Sequence, residues 1–79
     1  MLRLPRDLSG QDVIQVLKEF GFTFVRQKGS HVILKKIQPT GENIGCVVPQ
    51  HDQLAVGTLK GILKQAKIST VDFIAACKG

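Results

Sequence analysis

The chain has no tryptophan and no tyrosine, and only four phenylalanines among its 79 residues. A sheet that reads RNA by stacking bases usually supplies several rings, so that mode finds little support here. Cysteine is equally scarce. Cys46 and Cys77 lie far apart, form no CxxC pair and sit in apolar runs. They read as buried free thiols, which points to a reducing compartment. Two histidines and two separated cysteines offer no zinc spacing, so no metal is expected. There is no Walker or GxGxxG loop, and no cofactor is expected. No apolar run is long enough to cross a bilayer. Met1 to Asp7 carries Arg3, Pro5 and Arg6 but no apolar signal core. These features predict a cytoplasmic protein with no membrane attachment.

Acidic residues are also in the minority. Six Asp and Glu stand against eleven Lys and Arg, giving a formal net charge of +5 and a pI near 9.6. Such a surface attracts phosphate polyanions, anionic membranes or an acidic protein, and charge alone does not choose among them. A chain of 79 residues makes one small domain, taken as 1–79, with little stability to spare. A hydrophobic fraction of 43% and a mean hydropathy of +0.09 fit a packed globule.

Residues 9 to 20 read as a helix. Ser9 and Asp12 have capping-box spacing, Leu8 and Val13 suit a hydrophobic staple, and Gly21 is placed to end the helix. Phe22 to Gln27 reads as a strand in which Phe22 and Phe24 alternate with Thr23 and Val25. Lys28-Gly29-Ser30 is a turn, and His31 to Ile37 a second strand. Gln38 to Glu42 is a loop, and Asn43 to Val48 a third strand stopped by Pro49. After a further loop, Thr58 caps a helix from Leu59 to Lys67. Ser69 and Asp72 form a second capping box before a last helix through Val71, Phe73, Ile74 and Cys77. The predicted order is α-β-β-β-α-α. It describes an α+β fold with a three-stranded antiparallel meander and helices on one face.

The chemistry gathers at Lys28-Gly29-Ser30-His31. Gly29 permits a tight turn and close backbone approach. The turn N–H groups and the Ser30 hydroxyl can receive phosphate oxygens, and Arg26 and Lys28 add charge. Imidazole titrates near neutrality, so His31 can move a proton there. RNA carries its own nucleophile, the 2′-OH, and needs only a base and donors to the phosphorane. The bland alternative is a polar residue at a hairpin mouth. His51 is the other histidine: an acid partner, a phosphate contact or a loop cap. Lys60, Lys64 and Lys67 form a stripe that can follow a phosphate backbone or simply face solvent.

Gly21-Phe22, Arg26-Gln27-Lys28-Gly29-Ser30-His31, Val47-Val48-Pro49-Gln50-His51 and Gly57-Thr58-Leu59 with Ile62-Leu63-Lys64-Gln65-Ala66 stand in order along nearly the whole chain. Together they resemble the HicA toxin family. The resemblance implies an mRNA interferase of a type II toxin–antitoxin system with a fold like a double-stranded RNA-binding domain, plus one more C-terminal helix. It implies a catalytic histidine at His31, motif neighbours at Gly29 and Ser30, and a less defined role for His51. It implies a HicB antitoxin that covers the active face, with the toxin monomeric alone and hetero-oligomeric with HicB. A non-catalytic double-stranded RNA-binding domain is the competing reading. A helix-turn-helix built from the last two helices ranks below both, because the final helix has no basic residue before Lys78.

Overall fold

A computed structural model describes residues 3–78, so the ends of the expected domain, Met1, Leu2 and Gly79, lie outside the described residues. The elements are α1 (Gly10–Glu19), β1 (Thr23–Lys28), β2 (His31–Ile37), β3 (Asn43–Pro49), α2 (Val56–Ala66) and α3 (Thr70–Lys78). The three strands form one antiparallel sheet in the order β1-β2-β3. This is the expected α+β architecture.

Local chemistry explains α1. Asp12 N–H donates to Ser9 Oγ and Ser9 N–H donates to the Asp12 carboxylate, both at 3.0 Å, so the capping box is complete. At the other end Gly21 has φ +96°. Its N–H reaches the Lys18 carbonyl at 3.0 Å, and Phe22 N–H reaches Leu17 at 3.1 Å. That pair of bonds is a Schellman closure, which favours glycine at the left-handed position.

The core is one apolar layer between the helices and one face of the sheet. Val32 and Leu34 of β2 and Ile44, Cys46 and Val48 of β3 point into it. Val13 and Leu17 of α1, Leu59, Ile62 and Leu63 of α2, and Phe73 of α3 meet them there. No polar or charged residue is buried among the described residues. The intervening residues of β2, starting with His31, therefore face the opposite, open side of the sheet.

Two expectations need correction. The first strand begins at Thr23, not Phe22, and does not alternate. Phe22 is buried just ahead of the strand, whereas Phe24 is 57% exposed although it pairs with the core residue Leu34. All of β1 is exposed, so the helices leave that edge uncovered. The second correction concerns α2. Thr58 is not its cap: the helix starts at Val56, after Ala55, with no side-chain cap. Leu54 is buried and its N–H donates to the Leu8 carbonyl at 2.7 Å, so the chain is anchored there and coils at once. At the far end Lys67 lies outside the helix, in a left-handed conformation with φ +57°.

One contact joins α1 to the end of β3. A methyl group on Gly10 would collide with the Pro49 carbonyl and crowd Gln50 Cα. Gly10→Ala should therefore destabilise the protein by about 1–3 kcal/mol, although helix propensity alone favours alanine. Urea midpoints of the two proteins check the sign. Burial also pushes the Cys46 thiol up to about 11, from 9.0. The unfolded chain ionises first, so this thiol's contribution to stability is present below pH 9 and is lost as pH rises toward 11. Cys46 should accordingly resist alkylation at pH 8 in the native protein and react on unfolding, which mass spectrometry reads directly.

Candidate active site

His31 opens β2 at the mouth of the first hairpin and is exposed. Its cross-strand neighbours are Lys28 on one side and Pro49 on the other. Two residues along the same face, Ile33 lies between Arg26 and Val47. Farther on, Lys35 lies between Thr23 and Gly45. No Asp or Glu occupies a paired position on this face. The imidazole thus stands among cations and apolar side chains.

The placement of those cations depends on a bulge. Phe24 pairs with Leu34, but Arg26 pairs with Ile33, leaving Val25 as an extra residue. In a regular strand Arg26 would fall on the same face as Phe24, the core side. The extra residue moves Arg26 to the open face and leaves Lys28 opposite His31. No local sequence signal marked this bulge.

The turn between β1 and β2 is fixed from both sides. Gly29 has φ +60° while Ser30 has a negative φ, the pattern of a type II′ hairpin. Its two carbonyls are occupied. Gln27 Nε2 donates to Gly29 O at 2.9 Å, and Gln50 N–H donates to Ser30 O at 2.6 Å. Nothing crowds the position of a Cβ at Gly29, so the outside of the turn is open. With the carbonyls already bonded, the turn can present N–H groups and the Ser30 hydroxyl to a phosphate oxygen.

His51 is tied to the same place. It follows Gln50, whose N–H holds the turn, and its own carbonyl accepts the Gly10 N–H at 2.9 Å. Its side chain is exposed. Arg26, Lys28, Gly29, Ser30 and His31 are therefore gathered at one end of the sheet, with His51 beside them along the backbone.

The lysine stripe is elsewhere. Lys60 and Lys64 are exposed on α2, the helix whose other side packs on the core face of the sheet. Lys67 sits beyond the helix, and its Nζ meets the Glu42 carboxylate at 3.2 Å. Both partners are well exposed, so the pair contributes little stability, but it draws Lys67 toward the loop between β2 and β3.

Sequence reading overlooked several residues. Gln27, Gln50 and Gly10 hold the turn and the His51 segment in place. Gln53 Nε2 ties that segment to the Arg6 carbonyl at 2.7 Å, and Gln65 Oε1 accepts the Val47 N–H at 3.2 Å on the outer edge of β3. Glutamine carries no motif signal of its own, so only the folded positions reveal these roles.

Comparison with known proteins adds one positive finding. No curated protein matches the chain. A family model described as the HicA toxin of bacterial toxin–antitoxin systems matches residues 10–68. That span runs from the first residue of α1 to just past α2 and includes the hairpin turn and His51. The chain belongs to the HicA toxin family.

Proposed function

We propose that this HicA-family toxin is an endoribonuclease that cleaves mRNA without a metal, using His31 to transfer the proton. The observation that carries this reading is the position of His31. It is exposed on a face with no paired carboxylate, beside Arg26 and Lys28, at a turn whose carbonyls are already bonded. In this reading His31 removes the 2′-OH proton. The 2′ oxygen then attacks the adjacent phosphorus, and the bond to the 5′ oxygen breaks. The products are a 2′,3′-cyclic phosphate and a 5′-hydroxyl, with one proton taken up and one returned. Gly29, Ser30, Lys28 and Arg26 hold the phosphate and offset the charge that builds on it. His51 is the auxiliary group, and in this reading it returns the proton. Lys60 and Lys64 on α2, and Lys67 just past its end, add further phosphate contacts.

Membership of a toxin–antitoxin family implies a partner. The partner in this reading is a HicB-like antitoxin that covers the cationic face, with the free toxin a monomer in the cytoplasm. Among the described residues no helix is long and apolar enough to cross a membrane. A second reading keeps RNA binding but drops catalysis. The exposed Lys60 and Lys64 on α2 favour it, because duplex-binding domains need phosphate contacts and no proton transfer.

Long single-stranded RNA in EDTA separates the two. The parent should fragment it to ends bearing 2′,3′-cyclic phosphate, and His31→Ala should slow cleavage by about 10²–10⁴-fold. Because His31 is exposed, its removal should move stability by no more than about 0.5 kcal/mol. If neither protein cuts but both bind RNA equally, the domain is a binder and His31 has no catalytic part.

A further inference from the structure

At the start of α2 a cleft of about 370 Å³ is lined by Arg3, Leu4, Arg6, Val56, Lys60 and Thr70. Three of these six carry positive charge and none is acidic. We propose that this cleft is a second phosphate site, which takes a backbone phosphodiester of the RNA away from the bond being cut. The proposal rests on the reading of the chain as an RNA-cleaving enzyme and extends it to Arg3 and Arg6, which precede the span matched by the family model.

The cations are held there by the fold. Leu4 is 7% exposed and joins the core, which pins the segment between Arg3 and Arg6. Gln53 Nε2 donates to the Arg6 carbonyl at 2.7 Å, and Leu54 N–H donates to the Leu8 carbonyl at 2.7 Å. The backbone is thus fixed on both sides of Arg6, while both arginine side chains remain exposed. Neither arginine nor Lys60 has a carboxylate partner among the described residues. Like charges brought together without counter-charge repel one another, and a bound anion relieves that repulsion. The first turn of α2 adds to the same field. It has no side-chain cap and no acidic residue, and the position of a Cβ at Gly57 is open.

Position favours RNA over a separate small anion. The cleft takes in Val56, where the segment that leaves β3 beside His31 enters α2. β3 ends at Pro49, opposite His31, and α2 begins at Val56. His51 and Val56 are five residues apart, at most roughly 18 Å along the chain. A bound strand can therefore meet both sites. The guanidinium forks of Arg3 and Arg6 suit phosphate oxygens.

The test is binding, not cleavage. A 2′-O-methyl RNA oligonucleotide has no free 2′-OH, so it binds without being cut. Affinity is measured across salt concentrations for the parent and for an Arg3→Gln/Arg6→Gln double variant. Both substituted side chains are exposed, and Leu4 is retained. The variant should bind about tenfold more weakly at low salt, and its log K against log[salt] slope should be shallower by about 0.7–1. Lys60→Gln should add less to the double variant than to the parent, because all three side chains serve one site. Parent-like affinity and slope in the double variant would overturn the second site while leaving His31 catalysis standing. A parent that fails to bind the oligonucleotide at all, and fails to cut ordinary RNA, would overturn both readings. Unchanged RNA binding with weakened antitoxin binding would assign the cleft to the protein partner and also overturn the proposal.

Discussion

The site depends on a seam. The backbone that leaves β3 is clamped between the hairpin turn on one side and the start of α1 on the other. Gln50 N–H holds Ser30, the His51 carbonyl takes the Gly10 N–H, and the Pro49 carbonyl occupies the space that a Cβ on Gly10 would need. These contacts are backbone to backbone, so their geometry does not vary with side-chain rotamers. They bring together three parts of the chain that are remote in sequence. Without them the turn beside His31, which lies past the last core residue of β2, Val32, would be held by strand pairing alone and would be free to twist. The capping box at Ser9 serves the same seam, because it fixes the turn of chain that delivers Gly10.

The second constraint is asymmetry in the sheet. The outer edge of β3 is partly covered, with Gln65 of α2 bonded to Val47, while β1 is exposed along its length. An exposed strand edge invites pairing with other chains, and charge and bulges discourage it. β1 has both, in Arg26, Lys28 and the extra residue Val25. The same bulge that interrupts the edge also turns Arg26 toward His31. One irregularity therefore protects the edge and assembles the cationic face. This explains why β1 does not alternate: it has no buried side, and packing does not constrain its residue types.

Much of this was legible in the sequence. The capping box, the helix stop at Gly21, the second strand and the element order all follow from local rules that act within a few residues. The turn at Gly29 was legible for the same reason. The failures came where distant parts of the chain decided the outcome. Thr58 is a good cap in isolation, but the anchoring of Leu54 against Leu8 starts α2 before the chain reaches it. The Phe22 and Phe24 pair reads as an alternating strand, but the helices do not extend over β1, so only Phe22 is buried. At the site, the motif residues were legible and their supports were not. Gln50, Gln53, Gln65 and Gly10 bond to backbone groups of other segments, and no spacing rule reports such contacts.

A domain of this size also limits how a site can be built. Its apolar residues are committed to one thin layer, and among the described residues no polar or charged residue is buried there. A deep pocket that shifts ionisation by desolvation would consume much of that core. The chain instead keeps its reactive groups on the surface and fixes the backbone beneath them. In the proposed reading an RNA phosphate suits this arrangement, because it would bring its own charge to the cations and its own nucleophile to the imidazole. The exposure has a further consequence. Ile33 and Val47 stand among the cations of the open face, with Val47 about two-fifths exposed. A partner offering acidic and apolar groups can cover such a surface without entering a cavity. A toxin whose functional groups lie on an open face can be controlled by a partner that occupies that face.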